Sequence, residues 1–268
     1  MTQEPYTGLA TTFDTAAGLY AQARPGYPPA LFDDVAASTG LKGARARVVE
    51  VGAGTGQATR GLLEQGWSVL ALEPGRELAV RARRALADGG DVDVVVSTFE
   101  QWEADGQAPF DLVFAATSWH WLDPRVAYRR AAGLLRPGGH LAIVATQHVL
   151  PPDGDDFFRE VEGAYEEVGM SDGQGGPKPP EAIEASDVDA MAGSGLFASP
   201  AVHRYVWSQD YTAGEYLALL STYSGHIAAS SQQRETLFLR IRALIDARPS
   251  GTISKHYLNL LQVARRLD

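Results

Sequence analysis

The sequence predicts an α/β fold: a doubly wound, mainly parallel sheet with helical additions at both ends. Three observations carry this. Short β-branched runs alternate with helical patterns from Ala46 to Thr146, as in successive βαβ units. Those runs are almost wholly apolar, as strands covered on both faces must be. A glycine cluster, Gly52-Ala53-Gly54-Thr55-Gly56, stands directly after the first run, where such a sheet turns from strand to helix.

The elements follow in order. ARVVEV is the first strand, and a helix spans Gln57 to Gln65. WSVLALE is the second strand, followed by the Ala/Arg-rich helix Glu77 to Asp88. DVDVVVS and PFDLVFAAT are the third and fourth strands. A helix around Arg125 to Leu135 ends in a turn, RPGG, that leads into HLAIVAT as the fifth strand. Before the sheet, two helical pieces are interrupted by Arg24-Pro25-Gly26-Tyr27-Pro28-Pro29, because proline removes a helical donor and clashes with the preceding turn. After it, DFFREVEGAYEEVG reads as one helix, GQGGPKPPEA as a flexible loop and AVHRYVWS as a strand. EYLALLSTYS and ETLFLRIRALIDA have helical periodicity, while Tyr257 to Val263 suits a strand or a helix. No linker divides the chain, so residues 1–268 read as one unit. In it, residues 1–45 are lid helices, 46–146 the ligand-binding core, and 147–268 substrate-side helices and last strands.

Composition narrows the function. Hydrophobic residues make up 45% and charged residues 21%, an ordinary globular balance. The net charge of −10, without a basic patch, argues against nucleic acid and anionic membranes as partners. There is no cysteine, hence no disulfide, thiolate metal site or thiol nucleophile. With no signal-like start and no long apolar run, the chain reads as cytoplasmic. A zinc-helix H-x-x-x-H pair and a G-x-S-x-G elbow are both lacking.

The glycine segment selects the ligand. Glycines let the main chain turn sharply and let a ligand approach it closely. A dinucleotide fingerprint would need glycine at position 57, which is Gln57; the third glycine is Gly56. Glu50, two residues before Gly52, would repel a pyrophosphate but suits an ammonium or sulfonium. The pattern E-x-G-x-G-x-G therefore points to S-adenosylmethionine. Glu73, at the end of the second strand and beside Pro74, is placed to accept hydrogen bonds from both ribose hydroxyls. Thr98 is set to meet the adenine edge, and Phe99 either its face or the core.

Together these residues resemble the class I S-adenosylmethionine-dependent methyltransferases, over roughly Ala46 to Thr146. The resemblance implies a Rossmann-like seven-stranded sheet, with AVHRYVWS as sixth strand and an antiparallel seventh near Tyr257 to Val263. It implies that Gly52, Ala53, Gly54 and Gly56, with neighbouring Gln57, wrap the methionine part, that Glu73 holds the ribose, and that Ala116 and Thr117 lie along the ligand. LLRPGG before the fifth strand is habitual in this family. Tyr20 to Pro28, Ser118-Trp119-His120-Trp121 and Thr222-Tyr223-Ser224 look like the small-molecule subgroup related to trans-aconitate methyltransferase.

Within that family, enzymes that methylate nucleic-acid amino groups carry Asn/Asp-Pro-Pro-aromatic after strand four; this chain has Ala-Thr-Ser-Trp-His-Trp. Asp123 is the only acid close by and equally starts a turn at Pro124, so no metal site is expected. Trp119, Trp121, Tyr20, Tyr27 and Tyr223 are candidates for the wall of an apolar acceptor pocket. Arg24 either forms a surface ion pair or meets the carboxylate of cofactor or substrate. His120, just past strand four, is the candidate general base, since a neutral imidazole takes a proton near neutral pH. The acceptor, a carboxylate, hydroxyl or amine, stays open. So does a role that binds the cofactor without methyl transfer, as a pericyclase or a regulator would.

Overall fold

The protein is described here from a computed structural model, which covers residues 23–268 apart from residues 105, 108, 172 and 174. The first helical piece and Tyr20 lie outside the described residues.

Seven strands form one sheet: β1 (Arg47–Val51), β2 (Ser68–Leu72), β3 (Val92–Val95), β4 (Phe110–Ala116), β5 (Leu135–Val149), β6 (Ala201–Thr212) and β7 (Thr252–Arg265). Their order is β3-β2-β1-β4-β5-β7-β6. β7 runs antiparallel to both neighbours, and the strands from β3 to β5 are parallel. This is the Rossmann-like sheet with an antiparallel last strand that the sequence predicts. The chain leaves β1 towards β2 and β3, then returns to β4 on the other side. The order thus reverses between β1 and β4, which opens a crevice at their carboxyl ends.

The helices cover both faces. On one lie α1 (Pro29–Thr39), α2 (Gln57–Glu64) and α3 (Arg76–Ala85). Leu31, Phe32, Leu62 and Ala79 pack there against Val48, Phe114 and Leu261. α1 begins on Pro29, whose missing N–H is an orphan anyway at a first turn, and ends on Gly40 with φ 70°. On the other face α4 (Pro124–Leu134) packs Tyr128 and Ala131 against Val49, Val113 and Ile143. Asp123 caps it by accepting the Arg125 N–H.

Two expectations need correction. The RPGG segment lies inside β5: Leu135 pairs with Phe110 and His140 with Leu112, so residues 136–139 bulge out of one continuous strand pairing. The helix expected over DFFREVEGAYEEVG is two, α5 (Phe157–Glu160) and α6 (Glu162–Glu167), joined at Val161. The ambiguous segment at Tyr257 is strand, because β7 finds ladder partners on both sides.

The remaining helices, α7 (Val188–Gly193), α8 (Ala213–Leu220), α9 (Ser224–Ala228) and α10 (Ser231–Asp246), follow β5. α8 and α10 each start at a capping box, Thr212 with Glu215 and Ser230 with Gln233. Phe157, Phe158, Tyr211, Tyr216, Leu237, Ile241 and Tyr257 form a third core under these helices. No helix among the described residues is long and apolar enough to cross a membrane.

Candidate functional site

The crevice is floored by main chain. Beyond Val51, the Gly52 and Ala53 N–H groups both donate to the Leu72 carbonyl, at 2.9 and 3.0 Å, which draws the loop towards β2. Gly52 has φ 70°, and a Cβ there would lie 2.6 Å from Ser118 Cβ. Only glycine meets both conditions. Gly56, with φ 90°, sits at the start of α2 against Leu86. Ser118 locks the opposite wall through a short hydrogen bond to the Val51 carbonyl.

Two buried carboxylates support the loop. Glu73 accepts the Gly54 N–H with one oxygen and the Gly75 N–H with the other, both at 2.8 Å, so it fixes the β2 turn to the glycine loop. Glu50 is 1% exposed, and its Oε2 has no hydrogen-bond partner among the described residues. Burial pushes its pKa up to about 8; the nearby Thr59 hydroxyl works downward and the Glu73 charge upward. A buried acceptor left without a donor destabilises the fold by about 1–3 kcal/mol, and a cationic ligand group reaching it would relieve that penalty.

The crevice has two lobes that share Gly52. One is lined by Arg24, Tyr27, Glu50, Gly52, Ala53, Gly54, Gln57, Ala116, Thr117 and Thr146. The other is lined by Pro74, Thr98, Phe99, Glu100, Ser118 and Leu122. Most of the residues singled out for the cofactor are therefore brought to one place. Phe99 is 2% exposed, with its ring centroid 6.1 Å from that of Trp119, so most of its face serves the core. Arg24 donates to the Thr222 side-chain oxygen at 2.9 Å and to its carbonyl at 3.1 Å, and its guanidinium lies 4.5 Å from the Tyr223 ring centroid. It thus ties the segment before α1 to the turn after α8.

A row of polar side chains runs along the carboxyl edge of the sheet. The Tyr27 and Thr117 hydroxyls are 3.0 Å apart, those of Thr117 and Thr146 3.2 Å. Asn259 donates to Thr146 at 2.8 Å and accepts from Trp207 at 2.6 Å. Thr117 has φ 57°, the one positive value for a non-glycine among the described residues. A β-branched residue there is strained, as residues held beside ligand sites often are. Thr146 and Asn259 escape sequence reasoning, because nothing local links them.

The turn after β4 departs from expectation. Trp119 is buried in the α4-side core, 5.3 Å from Tyr128 between ring centroids. His120 is exposed and lies 4.7 Å from the Trp121 ring; partial burial lowers its pKa and the charge of Asp187 raises it. Trp121 is 36% exposed. Of the stretch Ser118–Leu122, Ser118 and Leu122 line the crevice while Trp119 packs on Tyr128 of α4. The structure does not bring Trp119, His120 and Trp121 together with Tyr223.

Comparison with known proteins agrees with this geometry. Residues 49–141 match the methyltransferase domain family. The chain is 28% identical over 242 residues to an uncharacterized methyltransferase of Mycobacterium tuberculosis strain H37Rv, covering 90% of this chain and 88% of that protein. It is 37% identical over 108 residues to a ubiquinone biosynthesis O-methyltransferase of Xanthomonas euvesicatoria pv. vesicatoria, covering 40% and 45%. A candidate type II methyltransferase structure from Anaeromyxobacter dehalogenans superposes with TM-score 0.60 at 21% identity, over 91% of this chain and 98% of that one. The 4+2 cyclase SpnF superposes with TM-score 0.53 at 15% identity, over 98% and 97%. The family match is to a methyltransferase domain over residues 49–141, the relatives are named methyltransferases, and the superposed structures share the fold of this chain.

Proposed function

We propose that the crevice between β1 and β4 holds S-adenosylmethionine and that the enzyme methylates a small-molecule acceptor. The observation that carries this is the orphaned, buried Glu50 oxygen beneath a glycine loop whose Gly52 leaves no room for a Cβ. Gly52, Ala53, Gly54 and Gln57, with Arg24, Ala116 and Thr117, would hold the methionine part, whose cationic group suits Glu50. Glu73 would hold the ribose, while Pro74, Thr98 and Phe99 would frame the adenine. When bound, the cofactor supplies an electrophilic methyl on a good leaving group.

What remains for the chain is positioning, which can supply most of the acceleration in such a displacement. Arg24 and Tyr27 close the lobe from the segment before α1, and the hydroxyls of Thr117 and Thr146 orient what lies over the sheet edge. The acidic charge balance supports a small acceptor over a polymer.

Titration calorimetry tests the reading. S-adenosylhomocysteine is expected to bind in the micromolar range, roughly −8 kcal/mol, and NAD not at all. Heat with NAD and none with either sulfur ligand would overturn it.

A further inference from the structure

A second cavity, of about 280 Å³, opens between the end of β5, the α5–α6 pair and α8. His148, Phe158, Glu162, Tyr165 and Tyr216 are on its wall. In the β5–β7 ladder Thr146 faces Asn259 and His148 faces Tyr257. Lys255 precedes Tyr257 by two residues, so all five side chains leave one face of the sheet. The polar row that starts at Tyr27 in the crevice thus leads to Lys255.

Lys255 is 2% exposed, and its ammonium has no hydrogen-bond or ion-pair partner among the described residues. Four rings surround it instead, with centroids at 5.4 Å (Tyr257), 5.5 Å (Phe158), 5.9 Å (Tyr216) and 5.9 Å (Tyr223). Phe158 and Tyr216 belong to the cavity wall, while Tyr223 carries Arg24 of the crevice on its ring. The lysine therefore stands between the cavity wall and the Tyr223 ring that carries Arg24 of the crevice.

Among the described residues the surroundings are short of negative charge. Burial, with Arg24 adding to it, brings Lys255 down to about 7. Burial and then the Lys255 charge bring His226 down to about 4 and His148 to about 2, with His256 acting further on His148. Tyr165, hydrogen-bonded to His226 at 2.9 Å, is pushed up by burial and by Glu162, the one acid of this wall among the described residues. Rings offset part of the penalty of a desolvated ammonium, but an anion beside it would offset far more.

We propose that this cavity receives the methyl acceptor as an oxyanion, a carboxylate or a phenolate on a small, partly apolar molecule, and that Lys255 is the group that pairs with it. The proposal rests on the methyltransferase reading and names the acceptor class for the same enzyme. The aromatic wall suits a ring or an unsaturated chain, and the lysine selects for an acidic oxygen over an amine.

The test is calorimetry on the full chain saturated with S-adenosylhomocysteine, titrated with benzoate and phenol, and with benzamide as the neutral control. At least one of the two acids is expected to bind about tenfold or more tighter than benzamide. Benzoate as the tighter ligand assigns a carboxylate acceptor, and phenol a phenolic one. Lys255→Met should weaken that acid by about tenfold or more, and Lys255→Arg by no more than about threefold. Both should leave S-adenosylhomocysteine affinity within about twofold. Benzoate binding near pH 7 to 8 should take up protons in the wild type, as the ammonium is restored, whereas phenol brings that proton itself and should show no net uptake; the benzoate uptake should vanish in Lys255→Met. Equal affinity for benzamide, acid binding undiminished in Lys255→Met, or no acid binding at all would each overturn the proposal. If Lys255→Met does not fold, Lys255→Arg and the wild-type proton uptake decide. Failure to bind S-adenosylhomocysteine, with lysine-dependent acid binding kept, would overturn the cofactor reading alone.

Discussion

The two ligand-facing regions of this molecule are made of different material. Around β1 and β4 the surface is mostly main chain: a glycine loop held to the Leu72 carbonyl and to Glu73, with one carboxylate buried beneath it. Beyond Thr146 the surface is side chains, His148 from β5, Phe158 from α5 and Tyr216 from α8, with Lys255 of β7 buried against the last two rings. A backbone cradle tolerates few residue types and fixes one ligand class. A wall of side chains can be exchanged piece by piece, so one fold can serve many acceptors.

The sharpest way to break the comparison is to place a side chain on the cradle. Gly52→Val adds branched carbons at φ 70°, where a Cβ already meets Ser118 at 2.6 Å. S-adenosylhomocysteine affinity should fall by about 100-fold or more in calorimetry, with a lowered melting temperature. Next is Glu73→Gln. Its amide cannot accept both backbone N–H groups and serve ribose hydroxyls, so affinity should fall by about 1.5–3 kcal/mol. Unchanged affinity would mean that Glu73 only braces the loop.

Glu50 separates the regions by pH. Its folded pKa of about 8 stands above the ordinary 4.5. The folded chain therefore keeps a proton that the unfolded chain has lost, and the stabilisation present below about pH 4.5 disappears as pH rises towards 8. In paired thermal melts Glu50→Gln should gain stability relative to the wild type as pH rises across that window; His148 and His226, held neutral by burial, act in the opposite direction below about pH 6.5 but equally in both proteins, so they cancel in the comparison. The smallest effect is expected at His120, which sits outside both cavities. His120→Ala should change turnover by less than about tenfold, whereas a general base would lose about 10²–10⁴.

These differences follow what is legible in the sequence. The sheet, its first five strands and the glycine loop are contiguous patterns, so residue order alone places Gly52, Gly54, Glu50, Glu73 and Thr98 at the carboxyl edge. Trp119 and His120 adjoin the site in sequence, but neither lines the crevice, and Trp119 packs into the core beside α4. Lys255 carries a faint local signal, a lysine two residues from Tyr257 and four from Asn259 in a strand of mixed polarity. Its meaning needs the ladder that sets β7 beside β5, and ladder register is a long-range property.

The most direct measurement is a crystal structure of the S-adenosylhomocysteine complex. The account predicts the amino-acid end above Gly52 to Gly54 with its ammonium directed at Glu50, the adenine beside Thr98, and the sulfur facing the side where Lys255 sits behind the second cavity's Phe158 and Tyr216. The nucleotide lying in that second cavity, or the ligand reversed across Gly52, would contradict it.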